Sequence, residues 1–295
     1  PCGGPDAPGL LLRRGKLLRM TPSAESFLSL TSVGAVALGL SEEVLRCSDA
    51  DALVVPVNRD YDLDRGERAA LRDAAGPMPE IQSLLYGLGD PGTALPVRTG
   101  NLRAKFLVLA VAVDETERLE AETLRRSVAA ALDVCMERNL PRVLVRDFGA
   151  FWPGLPPGQV AGITVRTVAE GLGLRYPAMD RVAFSADLPV RGVWRMALDR
   201  LAGREPDWSL LPKDAVVCGL KGIRKRDVMR ALLQGARTPE AAASFLGLEE
   251  LHRSEDCACG TATGEPCSVN LREALRTYDT TLRHLAPGFG GCGAG

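Results

Sequence analysis

The sequence lacks the features that would draw a protein to nucleic acid or into a membrane. It holds 36 Lys and Arg against 37 Asp and Glu, so the net charge is −1 and no overall field attracts an anionic partner. No apolar run approaches the roughly 18 residues of a membrane span. The early "PGLLLRRGKLLRM" has too short an apolar run, with its basic residues on the wrong side, for a signal peptide. These absences predict a cytoplasmic protein without a membrane segment.

Aromatic residues are scarce at 5%, whereas apolar residues make up 46% and charged residues 25% of the chain. The apolar and charged shares are typical of a globular protein with a sizeable core. A length of 295 residues suffices for about two domains. The first residue is Pro, which makes Met20 a candidate start. We predict a disordered or leader segment 1–29, an α/β domain 30–203, a linker 204–214, a helical cysteine-rich domain 215–286 and a flexible tail 287–295.

Strand and helix patterns alternate along the first two thirds of the chain. Short apolar or β-branched runs predict strands at 33–39, 50–58, 93–97, 105–113, 142–149 and 181–187. Helical apolar spacing predicts helices at 41–47, 65–76, 117–139, 158–172 and 190–203. This alternation predicts a three-layer α/β/α fold with a mostly parallel or mixed sheet.

Four segments of the first two thirds of the chain occur in a characteristic order. They are "ADALVVPVN" (50–58), "RGERAALRDAAG" (65–76), "GDPGTALPVRTGNLRAKFLVLAV" (89–111) and "RVLVRDFGAFWPGLPPGQVAGITVRTV" (142–168). In series they resemble the macrodomain family, which binds ADP-ribose. The resemblance implies a macrodomain-like mixed sheet over about 30–203. It also implies an ADP-ribose-like small molecule, or an ADP-ribosylated protein, as the ligand.

The resemblance assigns the ligand to a strand end and two glycine-containing loops. Asn58 would hydrogen-bond a ribose hydroxyl or an attacking water. Gly66, Gly149 and Gly154 would let backbone N–H groups approach a diphosphate. Phe151 and its neighbour Trp152 look exposed, and would either stack on a base or ribose or close their loop onto the core. Each glycine taken alone is equally an ordinary turn residue.

The sequence departs from the family pattern where polar or small residues are expected. Those positions hold Leu40, Val55, Asp64, Arg65, Leu109 and, in the middle of the second loop, Phe151. Each change removes a polar contact or adds bulk, which favours binding over efficient hydrolysis. Three alternatives stay open: a nucleotide-binding module, an ADP-ribosyl hydrolase, and a non-catalytic scaffold like the N-terminal domain of leucine aminopeptidases.

Beyond the predicted linker, the chain predicts three helices at 224–235, 238–248 and 270–284, the last opened by a capping box of Asn270 and Glu273. Between the second and third lies "CACGTATGEPC" (257–267). Its three cysteines are consistent with a thiolate metal site, part of a disulfide framework, or an accident of composition. A reducing cytoplasm disfavours disulfides, and a small helical unit needs a stabilising link.

The segment "VVCGLKGIRKRDVMRALLQGARTPEAAASFLGL" (216–248) resembles the bacterioferritin-associated ferredoxin type of 2Fe–2S module. That resemblance makes Cys218 the first ligand, and Cys257, Cys259 and Cys267 complete a set of four. Four thiolates suit a 2Fe–2S cluster and equally a structural zinc ion. Basic residues such as Lys225 and Arg226 would suit an acidic protein partner, as in that family, rather than the nucleic-acid phosphates of a helix-turn-helix. The whole protein is therefore interpreted as a binding or redox-sensing protein.

Overall fold

The structure, a computed structural model, describes residues 27–41, 48–64, 67–175, 179–248 and 261–285. The chain divides into two units. The first comprises residues 1–118, 122–148 and 168–185, and the second comprises residues 119–121, 149–167 and 186–295. The predicted helix 41–47 lies outside the described residues, apart from Ser41.

The first unit is built on a seven-stranded mixed sheet. Its strands are β1 Phe27–Val33, β2 Val36–Ser41, β3 Ala52–Val57, β4 Ala94–Arg98, β5 Phe106–Val111, β6 Arg142–Arg146 and β7 Arg181–Ser185. Their order in the sheet is β1-β2-β7-β6-β3-β5-β4. The five inner strands run parallel, and the two edge strands pair antiparallel with their neighbours. The prediction of an α/β fold with a mostly parallel sheet is confirmed.

The centre of this sheet is apolar on both faces. Every residue of β3 is buried, as are all residues of β5 except Phe106. Parallel strands covered on both faces need such continuous apolar runs. The main apolar cluster joins β3 and β5 through Leu53, Val55, Leu107 and Leu109, with Leu71 of the first helix packed against them.

Three helices lie between these strands in the chain. They are α1 Glu67–Ala75 and α2 Met78–Tyr86, between β3 and β4, and α3 Ala121–Glu137, between β5 and β6. The next helix, α4 Pro157–Arg175, has its first part in the second unit and its last part in the first. Two predictions need correction. Residues 27–29, expected in a disordered or leader segment, belong to β1, and α2 is an additional helix that the sequence pattern does not predict.

The second unit contains the helix α5 Leu188–Leu201, a short antiparallel ribbon and three further helices. The ribbon pairs β8 Val216–Cys218 with β9 Ile223–Arg224, and the helices are α6 Lys225–Leu233, α7 Pro239–Phe245 and α8 Cys267–Leu285. The ribbon corrects the prediction of an all-helical region. Residues 204–214, expected as a linker, include Trp208 and Leu211, which are buried.

Side-chain bonds fix the helix ends of this unit. Thr238 caps α7, because its Oγ1 accepts a hydrogen bond from the N–H of Ala241 at 3.2 Å. The last helix begins at Cys267, three residues before the predicted cap. Asn270 is instead buried inside that helix, and its amide donates to the carbonyl of Glu265 at 3.0 Å. Among the described residues, no helix combines the length and the apolar character needed to cross a bilayer.

Candidate functional site

Asn58 lies at the carboxyl end of the central strand β3, as the sequence predicts. Its side chain closes a turn, because its Oδ1 accepts a hydrogen bond from the N–H of Asp62 at 2.9 Å. Its carbonyl accepts one from the N–H of Tyr61 at 3.1 Å, and Tyr61 adopts a left-handed φ of 56°. The oxygen of the Asn58 side chain therefore shapes the turn, and the amide nitrogen is the group suited to donate to a ligand.

Two buried arginines lie near the same edge of the sheet. Arg146 ends β6, is 4% exposed, and donates from Nη1 to the carbonyl of Ser185 at 3.2 Å. Arg68 of α1 is 2% exposed and donates to the carbonyl of Pro56, the second-last residue of β3, at 3.4 Å. Since β6 and β3 are neighbours, these guanidinium groups bring positive charge close to the carboxyl ends of two adjacent strands. Neither arginine was predicted as a site residue from the sequence. The charged residue Arg146 at the end of the apolar run "RVLVR" was a signal that could have identified one of them.

The positions where the family resemblance expects polar contacts are part of the core. Leu40 is 3% exposed, and Val55 and Leu109 are each 0% exposed. Their side chains are buried in the apolar core and do not line an opening. Gly66, the first predicted phosphate-loop glycine, lies outside the described residues.

The loop after β6 carries Gly149, Phe151 and Gly154, all in the second unit. Gly149 is in a single 3-10 turn, Phe148–Ala150. The rings of Phe151 and Trp152 meet edge to face, with centroids 5.8 Å apart, and Trp152 is only 6% exposed. The expectation that Trp152 is exposed is therefore wrong, because its ring is part of the packing, while Phe151 is half-buried.

Gly154 has a packing reason to be glycine. Its φ is +136°, and a Cβ there would lie 2.3 Å from the carbonyl oxygen of Leu119. The N–H of Leu119 in turn donates to the carbonyl of Pro153 at 2.8 Å. The backbone at 153–154 is therefore packed against Leu119, and this packing does not depend on a ligand.

The first turn of α4 follows this loop and is covered by the segment Thr261–Glu265. A Cβ on Gly158 would lie 1.8 Å from the carbonyl carbon of Thr263, and one on Gly264 would lie 2.5 Å from the backbone nitrogen of Gln159. The resemblance implies a diphosphate near this helix N-terminus. On the Gly158 side, protein backbone occupies that space.

An apolar cleft of about 370 Å³ lies next to the same turn in the second unit. One wall is formed by residues 156–157 at the start of α4 and residues 189–190 in the first turn of α5. The opposite wall is formed by residues 211–212, 214–216 and 261–262. None of the predicted site residues lines this cleft. Its lining offers few polar groups, of which Asp214 is the charged one, so it is unsuited to a diphosphate.

The structure describes two of the four predicted metal ligands. Cys218 ends β8 and Cys267 begins α8, and both are 0% exposed. The strand β8 contacts α8, and the N–H of Ala262 donates to the carbonyl of Val216 at 2.8 Å. Cys257 and Cys259 lie outside the described residues. Within the described part of the chain, no group of three or more His, Cys, Asp or Glu side chains is placed to hold a metal ion.

Lys225 does not suit contact with phosphates. It is 4% exposed, and its Nζ donates to the carbonyl of Leu211 at 2.5 Å. Its ammonium group also lies 5.6 Å from the ring centroid of Tyr278. Burial lowers the pKa of Lys225. The side chain therefore supports the core of the second unit, which removes one of the two basic residues considered for a nucleic-acid interface.

No family model and no curated protein matches the sequence. Solved structures do match in fold. The Oceanobacillus iheyensis macrodomain with MES bound superposes with a TM-score of 0.54 at 16% identity, covering 60% of this chain and 97% of that one. A mutant of the same protein with ADPR gives 0.53 at 15% identity, covering 60% and 100%. The Trypanosoma brucei macrodomain gives 0.52 at 15% identity, covering 61% and 73%.

About 60% of the chain has a macrodomain fold. At these identities the likeness concerns the fold alone. It confirms the fold that the four sequence segments predicted, and the macrodomain sheet places Asn58 at its carboxyl edge.

Proposed function

We propose that the macrodomain-like part of this protein binds an ADP-ribose-like nucleotide at the carboxyl ends of β3 and β6. The observation that carries the proposal is the position of Asn58 at the end of β3, with Arg68 bonded to Pro56 of the same strand and Arg146 ending the neighbouring strand β6. Ligands of open α/β sheets bind outside the carboxyl ends of the strands. The Oceanobacillus iheyensis macrodomain, similar in fold, has been solved with ADPR.

The positive charge of the two guanidinium groups suits an anionic ligand. Arg68 is 2% exposed and Arg146 is 4% exposed, so they act through their charge rather than through direct contact with a phosphate. The family resemblance expects backbone N–H groups of glycine loops to bind the diphosphate. In this chain, Gly154 is held by Leu119 and Gly158 is covered by Thr263. We infer that the positive charge of the buried arginines at this edge compensates for part of that loss.

Binding without turnover is the favoured activity. A water-activating role would need the side-chain oxygen Oδ1 of Asn58, which instead accepts the N–H of Asp62. An ADP-ribosylated protein presents the same chemical group and is a natural larger ligand. The hydrolase and the non-catalytic scaffold are the competing outcomes.

Titration calorimetry with ADP-ribose, beside a hydrolysis assay on an ADP-ribosylated peptide, tests the proposal. The informative variant is Asn58→Asp, because a carboxylate still accepts the Asp62 N–H but loses the donor and adds negative charge. We expect binding by the wild type, no turnover, and at least about tenfold weaker binding by the variant with an unchanged melting temperature. Turnover abolished by Asn58→Asp would establish the hydrolase instead, and absence of binding by the wild type would leave the scaffold.

We also propose that the C-terminal part of the chain is a four-thiolate module holding a 2Fe–2S cluster or, alternatively, zinc. The ligands would be Cys218, Cys257, Cys259 and Cys267. The two described thiols support this because both are fully buried and stand at the ends of contacting elements, β8 and α8. Thr261, two residues after Cys259 in the sequence, belongs to the segment that bonds to β8 through Ala262. The proposal makes the protein a fusion of a nucleotide-binding domain and a redox-sensing or structural metal module.

Metal content and visible absorption of anaerobically purified protein test this second proposal. A 2Fe–2S cluster is coloured and zinc is not. Cys218→Ser and Cys267→Ser should each lower the metal content substantially. Cys135→Ser is the matched control, because Cys135 is equally buried in the other unit and is not a proposed ligand. Equal metal content in all three variants would overturn the proposal.

A further inference from the structure

Helix α2 turns an apolar face to the solvent. Six large apolar side chains between residues 78 and 88 are 43–81% exposed: Met78, Ile81, Leu84, Leu85, Tyr86 and Leu88. They are six of the twelve large apolar side chains that are exposed in the described part of the chain. We call these six the α2 patch. Single exposed apolar residues are ordinary, but contiguous groups of them mark interaction sites.

The patch results from the way α2 packs on its own unit. Ile81, Leu84 and Leu85 recur at the i, i+3, i+4 spacing that usually faces a core. Leu88 follows the helix, two residues after its last residue, Tyr86. Only Pro79 and Ser83 of α2 are buried. A hydrogen bond connects the helix to β4, because Oε1 of Gln82 accepts the N–H of Arg98 at 2.6 Å. The face of α2 that carries Pro79 and Ser83 is therefore buried, and the face that carries the large apolar side chains is exposed to solvent.

The area of the patch supplies most of what a specific interface needs. A side chain of this size carries on the order of 100 Å² of apolar surface, so at 43–81% exposure the six present roughly 400 Å². Two copies brought together would then bury on the order of 800 Å² from the patches alone. Contacts around the rim would bring the total to the roughly 1,000 Å² of a specific protein interface.

The charge around the patch suits contact with an identical surface. Glu80 is the one charged residue between Gly76 and Gly89 in the sequence. A nearly neutral patch can meet a second copy of itself without repulsion between like charges. It offers little to a strongly basic or acidic partner, and interface cores are likewise poor in charge.

The neighbouring edge of the sheet is closed to strand addition. The edge strand β4 contacts α2 and pairs only with β5 among the described strands. Pro96 in the middle of β4 has no N–H, and the N–H of Arg98 already donates to Gln82. A partner at this edge must therefore use the helix face rather than extend the sheet.

We propose that the α2 patch is a homodimer interface in which the α2 helices of two copies pack against each other across a two-fold axis. Such an interface is self-complementary, because each copy presents the same surface. The inference does not depend on the ligand proposed above. It assigns α2 to assembly and leaves the carboxyl edge of the sheet to ligand binding.

Sedimentation velocity of the full chain tests the proposal, over roughly 1 to 100 μM, a range that resolves a Kd of about 10 μM. We expect the mass of two chains for the wild type at the upper end. The double variant Leu84→Glu/Leu85→Glu should dimerise at least about tenfold more weakly, with an unchanged melting temperature, since both side chains are mostly exposed. Leu233→Glu is the matched control, because Leu233 and Leu84 are both 74% exposed.

Mixing distinguishes a second copy from any other partner. An equimolar mixture of Leu84→Glu/Leu85→Glu with Leu84→Lys/Leu85→Lys should recover dimers that neither variant forms alone, because a two-fold contact brings the two patches together. A monomeric wild type across the whole range would overturn the proposal, as would full dimerisation of the Glu variant. Failure of the mixture to recover dimers would overturn the two-fold contact.

Discussion

The backbone of Thr263 lies against the Cα of Gly158, so closely that a Cβ on Gly158 would come within 1.8 Å of the Thr263 carbonyl carbon. The contact joins the first turn of α4 to the segment that precedes α8. Further bonds hold that segment, since Thr261 donates to the carbonyl of Glu265 at 2.8 Å and Ala262 donates to Val216. Glycine at 158 is thus part of the packing of the second unit.

Gly158→Ala should destabilise the second unit by roughly 1–3 kcal/mol, because backbone atoms of Thr263 must move to admit the methyl group. All three tryptophans, Trp152, Trp194 and Trp208, lie in this unit, so tryptophan fluorescence in a urea titration reports its unfolding. Gly162→Ala is the control on the same helix, because a Cβ there would lie 3.8 Å from a nitrogen of the flexible Arg166 side chain. That variant should be neutral or slightly stabilising, by up to about 1 kcal/mol, and equal losses in the two variants would contradict the packing described.

Gly154→Ala should also lower stability, independently of any ligand. The substitution combines a φ of +136° with a 2.3 Å approach to the carbonyl oxygen of Leu119. Gly203→Ala provides the comparison, because Gly203 has a φ of +67° and open space around it, leaving only the backbone strain of about 1–2 kcal/mol. We expect Gly154→Ala to lose more than Gly203→Ala in the same titration. A stable Gly154→Ala protein that no longer binds ADP-ribose would instead show that the residue serves the ligand.

The sheet could be predicted from the sequence because its central strands have no polar face. The runs at 50–58 and 105–113 are apolar almost throughout, and β3 and β5 occupy them, as strands covered on both faces require. The helix α2 could not be predicted from the sequence, because Pro77 and Pro79 suggest a loop and the apolar stripe of the helix points away from the core. Local pattern rules assume that such a stripe is buried.

The candidate site was predicted less completely, since its details depend on residues far apart in the chain. Asn58 follows directly from the end of a strand. The role of Gly154 depends on Leu119, and that of Gly158 depends on Thr263. Asn270 resembles a helix cap in the local sequence. Its hydrogen-bond partners Thr263 and Glu265 precede the helix, and these bonds hold the Asn270 side chain in a buried position. Such contacts are set by tertiary packing, which no short motif records.

Cys135 should be inert to alkylation in the folded protein. Burial on α3 raises the pKa of its thiol to about 12, so at pH 8 only about one molecule in ten thousand carries the reactive thiolate. Iodoacetamide followed by peptide mass spectrometry should show Cys135 modified only after unfolding in urea. Modification at the rate of an exposed thiol under native conditions would contradict its placement in the core.

Asp51 should stabilise the first unit at neutral pH and cease to do so in acid. Its side chain is 4% exposed and accepts from Arg142 Nε at 2.9 Å and from Lys105 Nζ at 3.0 Å. Burial alone would raise the pKa of Asp51, but the hydrogen bonds and charges of Arg142 and Lys105 outweigh it and hold that pKa below its ordinary value of 3.8. A carboxyl whose pKa is lowered by folding adds stability above its unfolded-state pKa and loses it as the pH falls through the folded-state pKa.

Asp51→Asn should therefore destabilise the first unit by about 1–3 kcal/mol at pH 7, and the difference from wild type should shrink below about pH 4. Hydrogen exchange of the β3 and β6 amides measures this, because the tryptophans report only the other unit. Asp49→Asn is the control, since Asp49 pairs with Arg142 and Arg181 but is 56% exposed, where ion pairs contribute about 0–1 kcal/mol. Equal losses for the two variants, or a deficit of Asp51→Asn that is the same at pH 3 and pH 7, would show that the buried carboxylate is not what stabilises this end of the sheet.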